Sequence, residues 1–267
     1  MTSEARSPKA GDRRWRDGSE DSVVGILRAA IDRSSASDEL AAHIVDWPTR
    51  YHFGRARTNL LHPLDLGAGL RVLDVGAGTG VMSRFAAERG ASVVAVEGDV
   101  RRVEAATLRC EGLDVDVRHG SVDDVAAADG PFDVVLCIGV LEYAGDDPAG
   151  FLGRLTGHLA PDGVLAVAIE NRFGMAYWLG ADEDHLGRPW VGLEGYPAST
   201  STPATATVRT HGRRELADLL AGAGLGVQRW LTPSPDYKLP TAILTERIHD
   251  EPDAVDLVKK LLTVKAS

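Results

Sequence analysis

An apolar run at residues 71–75 (Arg-Val-Leu-Asp-Val) passes directly into Gly76-Ala-Gly-Thr-Gly80 and then into a helical pattern reaching about residue 89. Glycine accepts positive φ and puts no side chain between backbone and ligand. A glycine turn between strand and helix therefore reverses the chain sharply and leaves the N–H groups of the helix start free. Such a unit is stable only when the helix packs back on a buried strand. The pattern repeats downstream. Residues 92–96 (Ser-Val-Val-Ala-Val) read as a second strand ending in Glu97-Gly-Asp99, with a helix over residues 100–110. Residues 114–118 read as a third strand, 132–138 as a fourth followed by a helix over 148–159, and 164–169 as a fifth. This alternation predicts an α/β fold with a parallel sheet and helices on both faces.

Residues 1–20 are polar and aperiodic and are expected to form a disordered tail. The apolar spacing from Val23 to Ile31 fits one helix face, and two more helices are expected over 38–46 and 50–61. Residues 21–65 thus read as an N-terminal helical lid ahead of a core domain over 66–267. After Ile169 the alternation stops, and residues 171–210 read as a long insert. An irregular segment of that length in a compact domain is usually functional or disordered, and its aromatic and charged content argues for function. A helix over 213–223 and strand-like segments near 226–231 and 242–247 complete the pattern.

The 267-residue chain has a formal net charge of −10, which disfavours a nucleic-acid partner. No segment approaches the roughly 18 apolar residues of a membrane span, and the first residues lack a signal-peptide pattern. Two cysteines without CxxC spacing argue for a reducing compartment. The expectation is a cytoplasmic enzyme acting on a small molecule, with no metal and with its oligomeric state open, a homodimer being one option. Cys137 reads as a buried apolar filler, and the histidines outside the insert as structural.

The glycine turn and Glu97, which could accept both hydroxyls of a ribose, suit either a dinucleotide or a nucleoside-type cofactor. The spacing is GxGxG, whereas the dinucleotide fingerprint is GxGxxG. Asp74, inside the strand, sharpens the choice: a buried carboxylate there can answer a cationic amino group but would repel a pyrophosphate.

Three segments carry a family resemblance: Val72-Leu-Asp-Val-Gly-Ala-Gly-Thr-Gly80, Val96-Glu-Gly-Asp99 and Phe132-Asp-Val-Val-Leu-Cys-Ile-Gly-Val-Leu-Glu-Tyr143. In order and spacing, over roughly residues 50–170, they resemble the motifs of class I S-adenosylmethionine (SAM)-dependent methyltransferases. The resemblance implies a Rossmann-like seven-stranded sheet whose last hairpin is antiparallel. It also implies a cofactor site. Gly76, Ala77 and Gly78 would lie beneath the methionine part, and Glu97 and Gly98 at the ribose. Ser121 and Val122 would flank the adenine, Asp123 would reach its amino group, and Ile138 and Gly139 would line the methionine side. For Asp123 and Asp124 the alternative is a helix cap with a solvated neighbour. Further segments, among them Ile169-Glu-Asn-Arg-Phe-Gly174, Glu183-Asp-His185 and Pro235-Asp-Tyr-Lys-Leu-Pro240, resemble a bacterial subgroup that accompanies surface-polysaccharide or secondary-metabolite glycosylation machinery.

Methyl transfer to a poorly acidic hydroxyl needs a base, alignment and exclusion of water. His185 in the insert is the first candidate base, oriented by Glu183 or Asp184; alternatively these three residues only close the loop. Glu142, just past strand four, is a second candidate as base or anchor, with Tyr143 beside it; the alternative for Glu142 is a cap or a loop ion pair. Tyr51, Tyr177 and Trp178 could face a sulfonium or stack on an acceptor, or simply pack. Arg172, Arg188 and Lys238 could recognise an acceptor phosphate or carboxylate, the alternative for each being a solvated or structural ion pair, and Glu194 and Tyr196 could touch substrate. The favoured reaction is O-methylation of a small-molecule or glycosylated acceptor, at a sugar hydroxyl first. The alternatives are N-, C- or carboxyl-methylation of a natural product, an NAD(P)-dependent oxidoreductase, and a non-catalytic SAM-binding protein.

Overall fold

The computed structural model describes residues 17–196, 208–250 and Asp253. The expected tail over residues 1–16 and part of the expected insert, residues 197–207, lie outside the described residues. Residues 17–20, expected in the tail, belong to the fold. Glu20 opens helix α1 (Glu20–Ala29) as a buried residue paired with Arg102 at 3.1 Å. Val23, Val24 and Leu27 of α1 pack against Ala105 and Leu108. Ile31, expected on the same face, lies past the helix end and is exposed.

The next two helices are shorter than expected: α2 (Asp38–Ala41), and α3 (Trp47–Phe53) with a 3-10 segment over Arg55–Leu61. The Asp46 carboxylate caps the N–H of Thr49, and Pro48 sits in the first turn, where its missing donor costs nothing. The sheet begins with β1 (Arg71–Val75), and α4 (Val81–Glu88), β2 (Ser92–Glu97), α5 (Val100–Cys110) and β3 (Val115–His119) follow. Then come β4 (Phe132–Ile138), α6 (Pro148–Thr156) and β5 (Leu159–Ala168). These strands form a parallel sheet in the order β3-β2-β1-β4-β5. Val72 to Val75 are buried because helices cover both faces of this central strand. The winding direction reverses between β1 and β4, and ligands of open α/β sheets bind beyond the strand ends at such a switch point.

Seven strands are expected in one sheet, whereas among the described residues the parallel sheet has five. β6 (Leu231–Ser234) and β7 (Ala242–Thr245) pair antiparallel with each other in a separate sheet. They are only four residues long, and Pro233 removes one ladder donor from β6, which suits a two-stranded edge and not a sheet interior. The segment 226–230, expected to begin this strand, is irregular. Within the insert lie the short helices α7 (Met175–Trp178) and α8 (Val191–Glu194), before α9 (Arg213–Gly222). Among the described residues no helix is long and apolar enough to cross a membrane.

Candidate active site

The turn after β1 is held by glycines in the left-handed region, with φ of +71° at Gly76, +58° at Gly78 and +77° at Gly80. A Cβ on Gly78 would meet nothing within 4 Å, so the turn presents bare backbone to open space. The N–H groups of Gly76 and Ala77 donate to Val96 O, which fixes the turn against β2. Glu97 ends β2 buried, and its carboxylate accepts from Gly78 N at 2.8 Å and Asp99 N at 2.9 Å. Each carboxylate oxygen keeps a second lone pair for a further donor. Asp74 is buried behind the turn, accepts from Ser83 Oγ at 2.6 Å, and is pushed by burial up to about 6.

Further hydrogen bonds tie the N-terminal helices to this turn. His52 is buried; its Nδ1 lies 3.1 Å from Thr79 Oγ1 and its Nε2 lies 2.9 Å from Asp17 Oδ2. The guanidinium of buried Arg109 donates to Thr79 O and His52 O at 2.8 and 2.9 Å. Arg57 is also buried. It donates to Tyr51 Oη at 2.8 Å and Lys238 O at 3.2 Å, and no carboxylate pairs with it among the described residues.

On the far side of the turn, Ser121 and Val122 sit at the end of β3. Asp124 caps Ser121 N at 2.8 Å, while exposed Asp123 pairs with Arg154 at 3.1 Å. Gly98 lies between β2 and α5 with its carbonyl accepting from His119 Nε2 at 3.0 Å. Ile138 is buried and Gly139 has φ +70°, and the Tyr237 hydroxyl stands 2.8 Å from where a Gly139 Cβ would be.

Beyond the carboxyl ends of β4 and β5, side chains from distant segments converge. Glu142, in the 3-10 turn Leu141–Tyr143, is 2 % exposed, and burial pushes its carboxyl up to about 7. Its Oε1 accepts from Tyr237 Oη at 3.3 Å, whereas its Oε2 has no hydrogen-bond partner among the described residues. His185 lies edge-on to Tyr143, ring centroids 5.5 Å apart. Its Nδ1 lies 3.0 Å from Glu183 Oε1. An ionised carboxylate only accepts, so Nδ1 carries the hydrogen and Nε2 keeps the lone pair. Burial opposes the imidazolium, but the hydrogen bond and charge of Glu183 outweigh it, and the His185 pKa is raised. Glu183 is buried and fully engaged, accepting also from His185 N, Leu186 N and Tyr196 Oη at 2.9, 2.7 and 3.1 Å.

Glu183, and not Asp184, is therefore the residue that orients His185. Asp184 pairs with Lys238, as does Glu170, which also accepts from the Tyr177 hydroxyl. The Lys238 ammonium is thus neutralised by two carboxylates, the ion-pair alternative, and cross-braces the insert, the end of β5 and the loop after β6. Arg172 is likewise structural: it donates to Gly192 O at 2.9 Å and faces Glu215 at 3.6 Å. Arg188 and Glu194 are exposed, as is Trp178, at 58 %. The structure does not bring these three into the buried cluster. Tyr51, Glu142, Tyr143, Tyr177, His185, Tyr196 and Lys238 are part of it.

Three members of the cluster escaped the sequence reading. Glu170 stands just past the end of β5, and the switch-point rule could have found it. Tyr237 lies in a segment singled out for resemblance and Arg57 in the expected helix over 50–61, yet only folding brings Arg57 to Tyr51 and Tyr237 to Glu142. Cys137 is buried and its thiol is pushed up by burial, as befits a packing residue. Among the described residues no cluster of metal-ligating side chains is found.

Comparison with known proteins gives the family. The family described as "Methyltransferase domain" matches residues 48–229. A ubiquinone biosynthesis O-methyltransferase of Cereibacter sphaeroides (strain ATCC 17025) is 33 % identical over 159 residues, which cover 59 % of this chain and 60 % of that protein. One of the same name from Xanthomonas axonopodis pv. citri is 38 % identical over 135 residues, 49 % of this chain and 53 % of its own. The chain thus matches about half to three-fifths of the length of these curated relatives. Among solved structures, a SAM-dependent methyltransferase from Mesorhizobium loti superposes with a TM-score of 0.53 at 22 % identity, covering 77 % of this chain and 93 % of its own. A mycolic acid cyclopropane synthase complexed with S-adenosylhomocysteine (SAH) gives 0.56 at 16 % identity, covering 85 % and 78 %. At these identities the two structures speak to the fold alone.

Proposed function

The chain belongs to the methyltransferase domain family and is a SAM-dependent enzyme, and from that premise we propose that it methylates a hydroxyl of a small polar acceptor, with His185 as the base. The observation that carries this reading is the Glu183–His185 pair, which leaves Nε2 with its lone pair in the buried cluster beyond the switch point. When bound, SAM supplies an electrophilic methyl on a sulfonium, which leaves as a neutral thioether.

The cofactor's place follows from the residues on β1, β2 and the N-terminal segment. Gly76 and Gly78 offer backbone without side chains, with only the methyl of Ala77 between them, and Glu97 offers carboxylate lone pairs to the ribose diol. Arg57 is a buried cation without an anionic partner among the described residues, and it matches the carboxylate of the methionine part. Asp74, behind the same turn, offers a negative charge toward the amino group. Ser121, Val122, Asp123 and Gly98 stand at the adenine and ribose end, and Ile138 and Gly139 at the methionine end. Tyr51, fixed by Arg57, stands between cofactor and acceptor.

On the acceptor side, Nε2 of His185 takes the hydroxyl proton while the oxygen attacks in line, and Glu183 stabilises the imidazolium that results. Tyr143 and Tyr237 wall the site. The lid over residues 21–65 and residues 171–196 of the insert exclude water, with the Lys238 ammonium tying the insert to Glu170 just past the end of β5. The density of polar and charged groups favours a sugar-type hydroxyl. A phenolic hydroxyl is the second reading, supported by the curated relatives named as ubiquinone biosynthesis O-methyltransferases.

The test is incubation with SAM carrying a carbon-13 methyl and matched panels of hydroxylated sugars, phenols, amines and carboxylic acids, followed by carbon NMR. An O-methyl signal from a sugar or phenol supports the reading. Transfer confined to nitrogen, carbon or carboxylate overturns it.

A further inference from the structure

We infer that the acceptor carries a basic amine close to the hydroxyl that is methylated, and that the free oxygen of Glu142 receives this amine as an ammonium. The inference rests on the acceptor-site reading above and narrows it to a class of substrate.

The first observation is the orphaned oxygen. Oε1 of Glu142 accepts from Tyr237, but Oε2 is buried with no donor among the described residues. A buried carboxylate oxygen without a donor costs folding free energy unless a ligand supplies the hydrogen. The carboxylate is also rigidly placed. Its own carbonyl accepts from Arg209 N at 2.9 Å, and its 3-10 turn follows directly on β4.

The second observation is charge. Glu142, Glu170 and Asp184 belong to one electrostatic neighbourhood, and Lys238 is spent on the latter two. His185 is the cation nearest in effect to Glu142, but its ring hydrogen is held by Glu183. The acceptor side therefore carries a surplus of carboxylate, and a cationic ligand restores neutrality where an anionic one would be repelled. Burial pushes the Glu142 carboxyl up to about 7, against the opposing charge of His185.

The chemistry gains selectivity from this arrangement. An amine held as an ammonium has no lone pair and cannot attack the methyl. The neighbouring hydroxyl, losing its proton to His185, is left as the nucleophile.

The experiment is a ligand-observed NMR titration of the full chain loaded with SAH, comparing 3-amino-1,2-propanediol with glycerol, which differ by one amine for one hydroxyl. We expect at least tenfold tighter binding of the aminodiol, lost in Glu142→Gln and partly kept in Glu142→Asp, with SAH affinity unchanged in both variants as proof of folding. Equal binding of the two probes, or a preference that survives in Glu142→Gln, overturns the inference. So does a Glu142→Gln variant that weakens SAM but not SAH, because the cation served would then be the sulfonium. Failure of SAH to bind the wild-type chain would overturn the acceptor-site reading as well.

Discussion

Gly76 and Val140 meet where the sheet reverses direction: a Cβ on Gly76 would stand 2.5 Å from Val140 Cγ2. The turn after β1 and the turn after β4 are thus in contact, and Val140 stands two residues before Glu142. Gly76 also holds φ +71°, a region L side chains rarely adopt. We predict that Gly76→Ala costs about 1–3 kcal/mol of stability and weakens SAH binding at the same time. Chemical denaturation and calorimetry read the two effects, and an alanine variant with wild-type values for both would contradict the contact.

Arg57 gives a prediction about the cofactor. Its buried guanidinium has hydrogen bonds but no ion pair among the described residues. A charge-assisted hydrogen bond is worth roughly 1.5–3 kcal/mol, so Arg57→Met should weaken SAM and SAH alike by about ten- to a hundredfold. The two share the carboxylate and differ at sulfur. Loss of SAM binding alone, measured by calorimetry, would place Arg57 elsewhere.

The Asp17–His52–Thr79 chain makes stability depend on pH. Burial lowers the folded-state pKa of His52 below its usual 6.5, despite Asp17. A base with a depressed folded pKa binds protons better when unfolded, so its contribution is full above 6.5 and is lost as pH falls below it. Asp17 is held well below the usual carboxylate range: burial opposes this, and hydrogen bonds from His52 and Ser19 outweigh it. Its contribution fades only under stronger acid, below about 4. Asp74, Glu142 and His185, whose folded-state pKa values are raised, act in the opposite sense over the same window, so the contribution of His52 is read as a difference. The Tm of the wild-type chain relative to His52→Gln should fall between pH 7 and 5, and a difference that stays constant with pH would exclude His52 as a source.

The core was legible in the sequence because its signals are local. Apolar runs, glycines and the acidic end of β2 place β1 to β4 to within a residue or so. Periodicity failed where tertiary contacts decide. The hairpin at Leu231–Thr245 pairs with itself because Pro233 and the short strand lengths suit an edge. β5 starts at Leu159, earlier than expected, through a register shift opposite Phe132–Val134. In the site, His185 and Glu183 were readable as neighbours in sequence. For Lys238 the sequence leaves anion recognition and a structural ion pair both open, because the carboxylates that neutralise it lie 54 and 68 residues away along the chain.

The central claim is that His185, oriented by Glu183, accepts the proton of the hydroxyl. Its most direct test is the pH dependence of single-turnover methyl transfer at saturating acceptor. The rate should rise with pH as His185 loses its proton, with a midpoint above 6.5 because its pKa is raised. Glu183→Gln should move the midpoint down, since the carboxylate that favours the imidazolium is gone. His185→Ala should lower the rate at least about tenfold, flatten the profile and leave SAH affinity unchanged. A His185→Ala enzyme with the wild-type rate and the wild-type profile would contradict the account.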